Sequence, residues 1–197
     1  ICPCIDINCA CAGFIYAVEI AESFYQAGKV RNVLVVSAEE PTRMTDWNER
    51  RTCVLFGDGA GAAVLAPGDN IKCVKLSASS ATDKLWQYRL LHPTPYITKK
   101  ETDVPLQMKG QDVFKFAVKA ASKDISRVLE ETGHGADDVD HYLLHQANIR
   151  IINAIQEYLE QPKEKFPTNI EDHGNSSSSC CPILLDECNR KGLFKKG

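Results

Sequence analysis

A change of hydrophobic period near the start of this chain constrains its fold more than any other feature. From Ala10 to about Gln26, the residues Phe14, Ala17, Val18, Ala21, Phe24 and Tyr25 recur at steps of three and four, the spacing of one helix face, and Gly28 supplies a stop. Immediately afterwards, Asn32-Val-Leu-Val-Val-Ser37 is a short unbroken apolar run, the pattern of a strand buried on both faces. The alternation continues. Thr52–Phe56, the turn Gly57-Asp-Gly59 and Ala60–Ala66 read as strand, turn, strand, residues 71–79 read as a further strand, and 80–107 is an irregular stretch carrying Trp86, Tyr88 and Tyr96. A helix follows over Gln111–Glu131, with Val113, Ala117, Ala120, Ala121, Ile125, Val128 and Leu129 on one face and Gly133 as its end. His141–His145 reads as a strand. Asn148 caps a helix faced by Ile151, Ile152, Ile155, Tyr158 and Leu159, Pro162 closes it, and a last helix runs from about Cys181 to Arg190. Strands alternating with helices predict an α/β protein in which helices cover a mixed sheet. A strand–turn–helix unit recurs around Cys11 and Asn148, a hint of internal duplication.

Composition narrows the partners rather than the fold. The 197 residues are 44% hydrophobic and 25% charged with a net charge of −3, enough for a substantial core and no general reason for a nucleic-acid or membrane surface. No apolar run approaches the roughly 20 residues that span a bilayer. The nine cysteines, at 2, 4, 9, 11, 53, 73, 180, 181 and 188, are odd in number and follow no leader-like segment, which argues for reduced thiols and a cytoplasmic protein. Cys2/Cys4 and Cys9/Cys11 alternate along a strand-like segment with Ile5 and Ile7 instead of forming knuckles, so no metal is expected. The chain opens at Ile1 inside an apparent strand and stops just after a helix, so both ends read as cuts through a larger domain.

Three residues attract chemical interest. Cys11 sits where the strand-like start gives way to a helix, and unpaired N–H groups and the helix dipole there favour a thiolate. Gly13 permits close approach, and Ala10 and Ala12 leave room for a substrate. His145 ends a predicted strand just before a helix, the edge at which α/β sheets bind ligands. Asn175, in Gly174-Asn-Ser, is either a turn residue or an amide donor to a developing oxyanion. Each has an ordinary alternative: a packed thiol, a hydrogen-bonded core imidazole, a turn. Gly57-Asp-Gly-Ala-Gly61 has the composition of a phosphate loop but fails its pattern and precedes a strand, so a hairpin turn is expected. The Asp46–Arg51 loop reads as solvated surface whose adjacent arginines suit phosphate groups.

Together the segments say more. Asp6-Ile-Asn-Cys-Ala-Cys-Ala-Gly-Phe14, Leu55-Phe-Gly-Asp-Gly-Ala-Gly-Ala-Ala63, Met108-Lys-Gly110, His145-Gln-Ala-Asn-Ile-Arg150 and Gly174-Asn-Ser-Ser177 occur in one order. This resembles the beta-ketoacyl-acyl-carrier-protein synthase III family, the initiating condensing enzymes of type II fatty acid synthesis. The resemblance implies a thiolase-like fold, two duplicated halves in α-β-α-β-α layers with mixed sheets, here partial, and usually a homodimer. It divides the chain into 1–66, the remainder of an N-terminal half carrying the nucleophile; 67–107, a connecting strand and irregular tunnel region; and 108–197, a C-terminal half carrying His and Asn. It implies that Cys11 takes an acyl group from acyl-CoA, that His145 and Asn175 serve decarboxylation of a malonyl group on acyl carrier protein, and that no cofactor is needed. It further implies carrier-protein contact by Gln146, Ala147, Asn148, Ile149 and Arg150, and CoA or acyl contact by Arg50, Phe56, Met108, Gly110 and Phe114. Segments of the family on both sides, among them one supplying an oxyanion-hole N–H, are not part of these 197 residues. The isolated chain is therefore expected to be poorly active or unable to fold independently.

Departures lie at Cys9 and in Ser178-Ser-Cys-Cys181, which replaces a more apolar run of small residues. The rival readings are a related condensing enzyme of polyketide or secondary metabolism, an inactive pseudoenzyme, and a papain-like cysteine protease. The last also runs Cys, His, Asn, but its Cys-Gly-x-Cys-Trp context is absent here.

Overall fold

The computed structural model describes residues 2–87 and 105–195. A 3-10 turn, Ala10–Ala12, runs into α1 (Gly13–Gln26); β1 (Val33–Glu39), a short α2 (Arg50–Cys53) and β2 (Gly59–Leu65) follow. Two-residue strands β3 (Leu85–Trp86) and β4 (Gln107–Met108) precede the long α3 (Gly110–Thr132), then α4 (Ile149–Leu159), a one-turn α5 (Ile170–His173) and α6 (Cys180–Arg190). The helix expectations hold to within three residues, the first turn of the expected Ala10–Gln26 helix being 3-10, and include the end at Gly133 and the Asn148 cap, whose side chain accepts the Arg150 N–H at 2.9 Å.

β1 and β2 pair antiparallel from Val33↔Leu65 to Glu39↔Gly59, and β3 pairs antiparallel with β4. On one side of the β1–β2 pair, Phe14, Ala21 and Val35 form a buried cluster with Ala17, Val18, Val33, Ala63, Leu65 and Cys181. A second cluster joins α3, α4 and the following turn: Tyr142, Ile152, Ile155 and Phe166, with Ala121 and Ile125 against them and the Tyr142 and Phe166 rings stacked at 4.7 Å. The glycine run is explained by the packing of β2 and its approach on the C-terminal segment. A methyl group on Gly57 would lie 2.0 Å from the His173 carbonyl oxygen, and one on Gly61 would lie 2.9 Å from Pro182 at the start of α6.

Four strand expectations are corrected. Residues 52–56 are not a strand, because Glu49 caps a helical turn: its carbonyl accepts the N–H groups of Thr52 and Cys53, both at 3.0 Å, and its carboxylate accepts that of Arg51. β2 therefore pairs with β1, not with that segment. Residues 71–79, His141–His145 and the strand-like start around Ile5 and Ile7 form no ladder among the described residues. A strand exists only through pairing, and Tyr142, for example, has a single backbone bond to Lys165 rather than a neighbouring strand. β1 is also covered on one face only: Val35 and Ser37 are buried, while Leu34 and Val36 are 63% and 59% exposed. Tyr88 and Tyr96 lie outside the described residues. Among those described, no helix is long and apolar enough to cross a membrane, and no group of side chains is arranged to hold a metal ion.

Candidate active site

Cys11 occupies the middle of the 3-10 turn leading into α1. Ala10 turns the chain there with φ of 45°, in the left-handed region, and the Asn8 side chain accepts its N–H at 3.3 Å. No side chain caps α1, so the thiol stands at an uncapped helix start, as expected.

His145 lies in the irregular segment before α4. Its Nδ1 is 2.8 Å from Cys180 Sγ, and the same sulfur accepts the Gln146 N–H at 3.4 Å. Asn175 is buried and stitched to the N-terminal part of the chain. Its N–H donates to Leu55 O at 2.8 Å, its carbonyl accepts the Gly57 N–H at 3.2 Å, and Phe56 and Asn175 form an isolated parallel bridge. The side-chain Oδ1 accepts the Ser177 N–H at 3.0 Å. This turn fixes the amide plane and leaves Nδ2 as a donor with no protein partner among the described residues. Both readings of Asn175, turn residue and donor, are thus compatible in one geometry.

The chain brings these three together through the Ser176–Cys180 run, all five residues of which are buried. Ser177, at φ 54°, donates its hydroxyl toward Cys11 Sγ at 3.7 Å. Ser178 bonds to Ser37 and to Glu39, fastening the run to β1. Sequence reasoning missed Ser177, Ser178 and Cys180 as parts of the site. The available signal was a run of polar and thiol side chains, with no apolar residue, where a turn enters a helix. His173 pairs with Glu187 at 2.6 Å, with Asn169 on the other carboxylate oxygen at 3.2 Å; this braces α5 on α6 just ahead of Asn175.

The electrostatics tie Cys11 to His145. Cys11 is exposed as a residue, yet desolvation is the largest influence on its thiol and pushes it up; hydrogen bonds from His145 and Ser177 and the charge of His145 outweigh this, and the thiol falls below its ordinary value. Burial likewise opposes charge on His145, but bonding to Cys11 and Cys180 raises the imidazole to about 10. Each group thus favours the charged form of the other, the thiolate and the imidazolium. Cys180 is held firmly protonated by its contact with Cys181 and by burial.

The remaining expected residues divide. Gln146 is corrected: it is 0% exposed, its side chain spends its amide on Leu144 O and its oxygen on the Asn169 N–H, and so it braces the interior rather than facing a partner. Ala147 and Asn148 are half-buried, and Ile149 and Arg150 reach the surface. Arg50 is exposed with no ion pair among the described residues, whereas Arg51 is taken by Glu49 at 2.6 Å. Phe56 flanks Asn175. Met108 pairs with Leu85 in the small sheet, and Gly110 and Phe114 begin α3; none of the three hydrogen-bonds to the Cys11–His145–Asn175 group. A groove of about 580 Å³ between residues 3–10, α1 and β1 borders the site through Ala10, Gly13 and Ser178 and contains none of the three.

Comparison with known proteins identifies relatives of this chain. The family described as 3-oxoacyl-[acyl-carrier-protein] synthase III matches residues 5–83, and its C-terminal counterpart matches residues 129–197. The beta-ketoacyl-[acyl-carrier-protein] synthase III of Clostridium novyi (strain NT) is 40% identical over 98% of this chain and 61% of its own length. That of Xanthomonas oryzae pv. oryzae is also 40% identical, over 100% and 61%. Among solved structures, the synthase III of Thermus thermophilus superposes with a TM-score of 0.86 at 34% identity, covering 98% of this chain and 61% of that one. The priming beta-ketosynthase of the R1128 polyketide pathway gives 0.83 at 32%, covering 98% and 59%. The chain thus spans about three fifths of the length of the curated relatives it matches. Matched at both its N- and C-terminal parts and sharing the thiolase-like α/β fold, the chain belongs to the 3-oxoacyl-[acyl-carrier-protein] synthase III family.

Proposed function

We propose that this chain carries the reacting side chains of a decarboxylating condensing enzyme that joins an acyl-CoA primer to malonyl-acyl carrier protein. The observation that supports this most is the convergence, around the Ser176–Cys180 run, of the Cys11 thiol, lowered by His145 and Ser177, with His145 and the Asn175 amide, whose oxygen accepts the Ser177 N–H. The Cys11 thiolate attacks the primer carbonyl, the carbon–sulfur bond to CoA breaks, and the departing thiolate takes a proton from the imidazolium. This leaves acyl-Cys11, neutral His145 and free CoA thiol. The malonyl group then loses carbon dioxide, the electron pair of the broken carbon–carbon bond passes into an enolate, and Asn175 Nδ2 and a His145 N–H donate to its oxygen. The carbanion attacks acyl-Cys11, the 3-ketoacyl group leaves on the carrier, and His145 regains a proton from solvent beside the restored thiolate.

Residues 1–66 serve as the nucleophile-bearing half, 67–107 as the connection and 108–197 as the donor-bearing half. Arg150 and Ile149 offer charge and apolar surface to an acidic carrier, and Arg50 offers charge to the phosphates of CoA. The protein acts as a cytoplasmic homodimer. A second reading, priming of a polyketide, is favoured by the likeness to the R1128 enzyme at a TM-score of 0.83. Incubation of the protein bearing this chain with a panel of acyl-CoA primers and malonyl-acyl carrier protein tests both. Acylation of Cys11, read by intact mass, followed by 3-ketoacyl product supports condensation, and the preferred primer separates the two pathways. Absence of acylation with every primer overturns the proposal.

A further inference from the structure

The sulfur of Cys180 is a group in the site that the proposed chemistry leaves unused, and it is placed to govern that chemistry. It is 2% exposed and sits between two nitrogens, accepting the backbone N–H of Gln146 at 3.4 Å and lying 2.8 Å from His145 Nδ1. Gln146 is itself tied in place, with both ends of its amide bonded to backbone. The sulfur is therefore held between a backbone donor on one side and the His145 imidazole on the other. Its single proton has two acceptors in reach, Nδ1 and the Cys181 sulfur at 3.9 Å. The nitrogen is both nearer and by far the stronger acceptor.

A neutral imidazole keeps one N–H, and a donor bonded to one ring nitrogen leaves the N–H on the other. We infer that Cys180 is a positioning residue: its thiol, anchored by the Gln146 N–H, donates to Nδ1 of neutral His145 and so keeps the imidazole proton on Nε2, where it serves as the donor to the enolate oxygen. While Cys11 is a thiolate, His145 is charged and both nitrogens carry protons. Once Cys11 is acylated its charge is gone, one imidazole proton leaves with CoA, and the neutral ring equilibrates through solvent between two tautomers. Only one of them can donate from Nε2. Cys180 selects it by leaving Nδ1 as an acceptor, and it keeps its own proton because burial and Cys181 both oppose its ionisation.

The inference rests on the function proposed above for its consequence, but not for its first test. With Cys11 blocked by iodoacetamide, ¹⁵N chemical shifts of His145 report the tautomer without any turnover. The Nε2–H form is expected in the unaltered protein and in Cys180→Ser, which retains a donor. Loss of that preference is expected in Cys180→Ala and in Cys180→Val, whichever of the two remains folded. An Nδ1–H form in the unaltered protein, or an unchanged tautomer in a folded donor-less variant, overturns it. The second test is malonyl-carrier decarboxylation: kcat falls by about tenfold or more in the donor-less variants with KM held and is restored in Cys180→Ser. Equal kcat in all variants overturns the catalytic consequence. Failure of the unaltered protein to acylate Cys11 instead overturns the condensing reading and leaves the tautomer result standing.

Discussion

Two regions of this molecule invert the usual rule of burial. The Asn175–Cys180 run is polar and almost fully enclosed, whereas the outer face of the β1–β2 pair is apolar and open, with Leu34 and Val36 exposed and Val64 71% exposed. The polar run stays buried because nearly every group has a partner: Asn175 with Leu55, Gly57 and Ser177, Ser178 with β1, Ser179 with the Ser176 carbonyl at 2.7 Å. The apolar face stays open because nothing among the described residues lies over it. The difference teaches where order in the chain is decided. Around the site it is decided by hydrogen bonds between distant segments, and along the strand pair only the helix-covered face is settled.

The sharpest way to break that contrast is to remove the thiol. Cys11→Ala is expected to abolish acyl loading, read as the absence of a mass increase with any acyl-CoA. Next come the donors. His145→Ala and Asn175→Ala are each expected to lower malonyl decarboxylation by about 10²–10³, and loss of acyl loading in a folded Asn175→Ala contradicts the division of labour. Packing follows. Ile155→Ala empties part of the α3–α4 cluster and is expected to lower stability by about 2–5 kcal/mol in chemical denaturation. Gly57→Ala drives a methyl into the His173 carbonyl and is expected to lower it by about 1–3 kcal/mol.

Titration gives a graded test. Because the Cys11 thiol is depressed from its ordinary 9.0, alkylation by iodoacetamide rises with pH through an inflection below that value. His145→Ala removes the charge and bond responsible, so the inflection moves upward; an unmoved inflection contradicts the pairing. The smallest effect belongs to the open face, where Val36→Thr in this chain is expected to change stability by no more than about 0.5 kcal/mol. A larger loss would show that this face is covered.

Much of this was readable from the sequence, and the failures share a cause. Helices α1, α3, α4 and α6 came from periodicity and caps, which are local. The segments 52–56, 71–79 and 141–145 carry β-forming residues, but a strand needs a partner that composition does not reveal, and at 52–56 a Glu49 cap won locally. Cys11, His145 and Asn175 are singled out by motif and order; in the structure Cys11 and His145 bond to each other, and Ser177 links Asn175 to Cys11. Gln146 was misjudged because its motif position says nothing about which way the amide points. Cys180 was overlooked because its significance depends on a nitrogen 35 positions away.

The contact between Ser177 and Cys11 joins residues 166 positions apart. Contacts of such separation close late, after local helices have formed and the entropy of a long loop has been overcome. On a ribosome, Cys11 would emerge long before the serine run and His145. Until His145 and the serine run have been synthesised and docked, the thiol lacks the partners that lower it and behaves as an ordinary cysteine. The order of the chain thus withholds a reactive sulfur from the cell until the fold that directs it is in place.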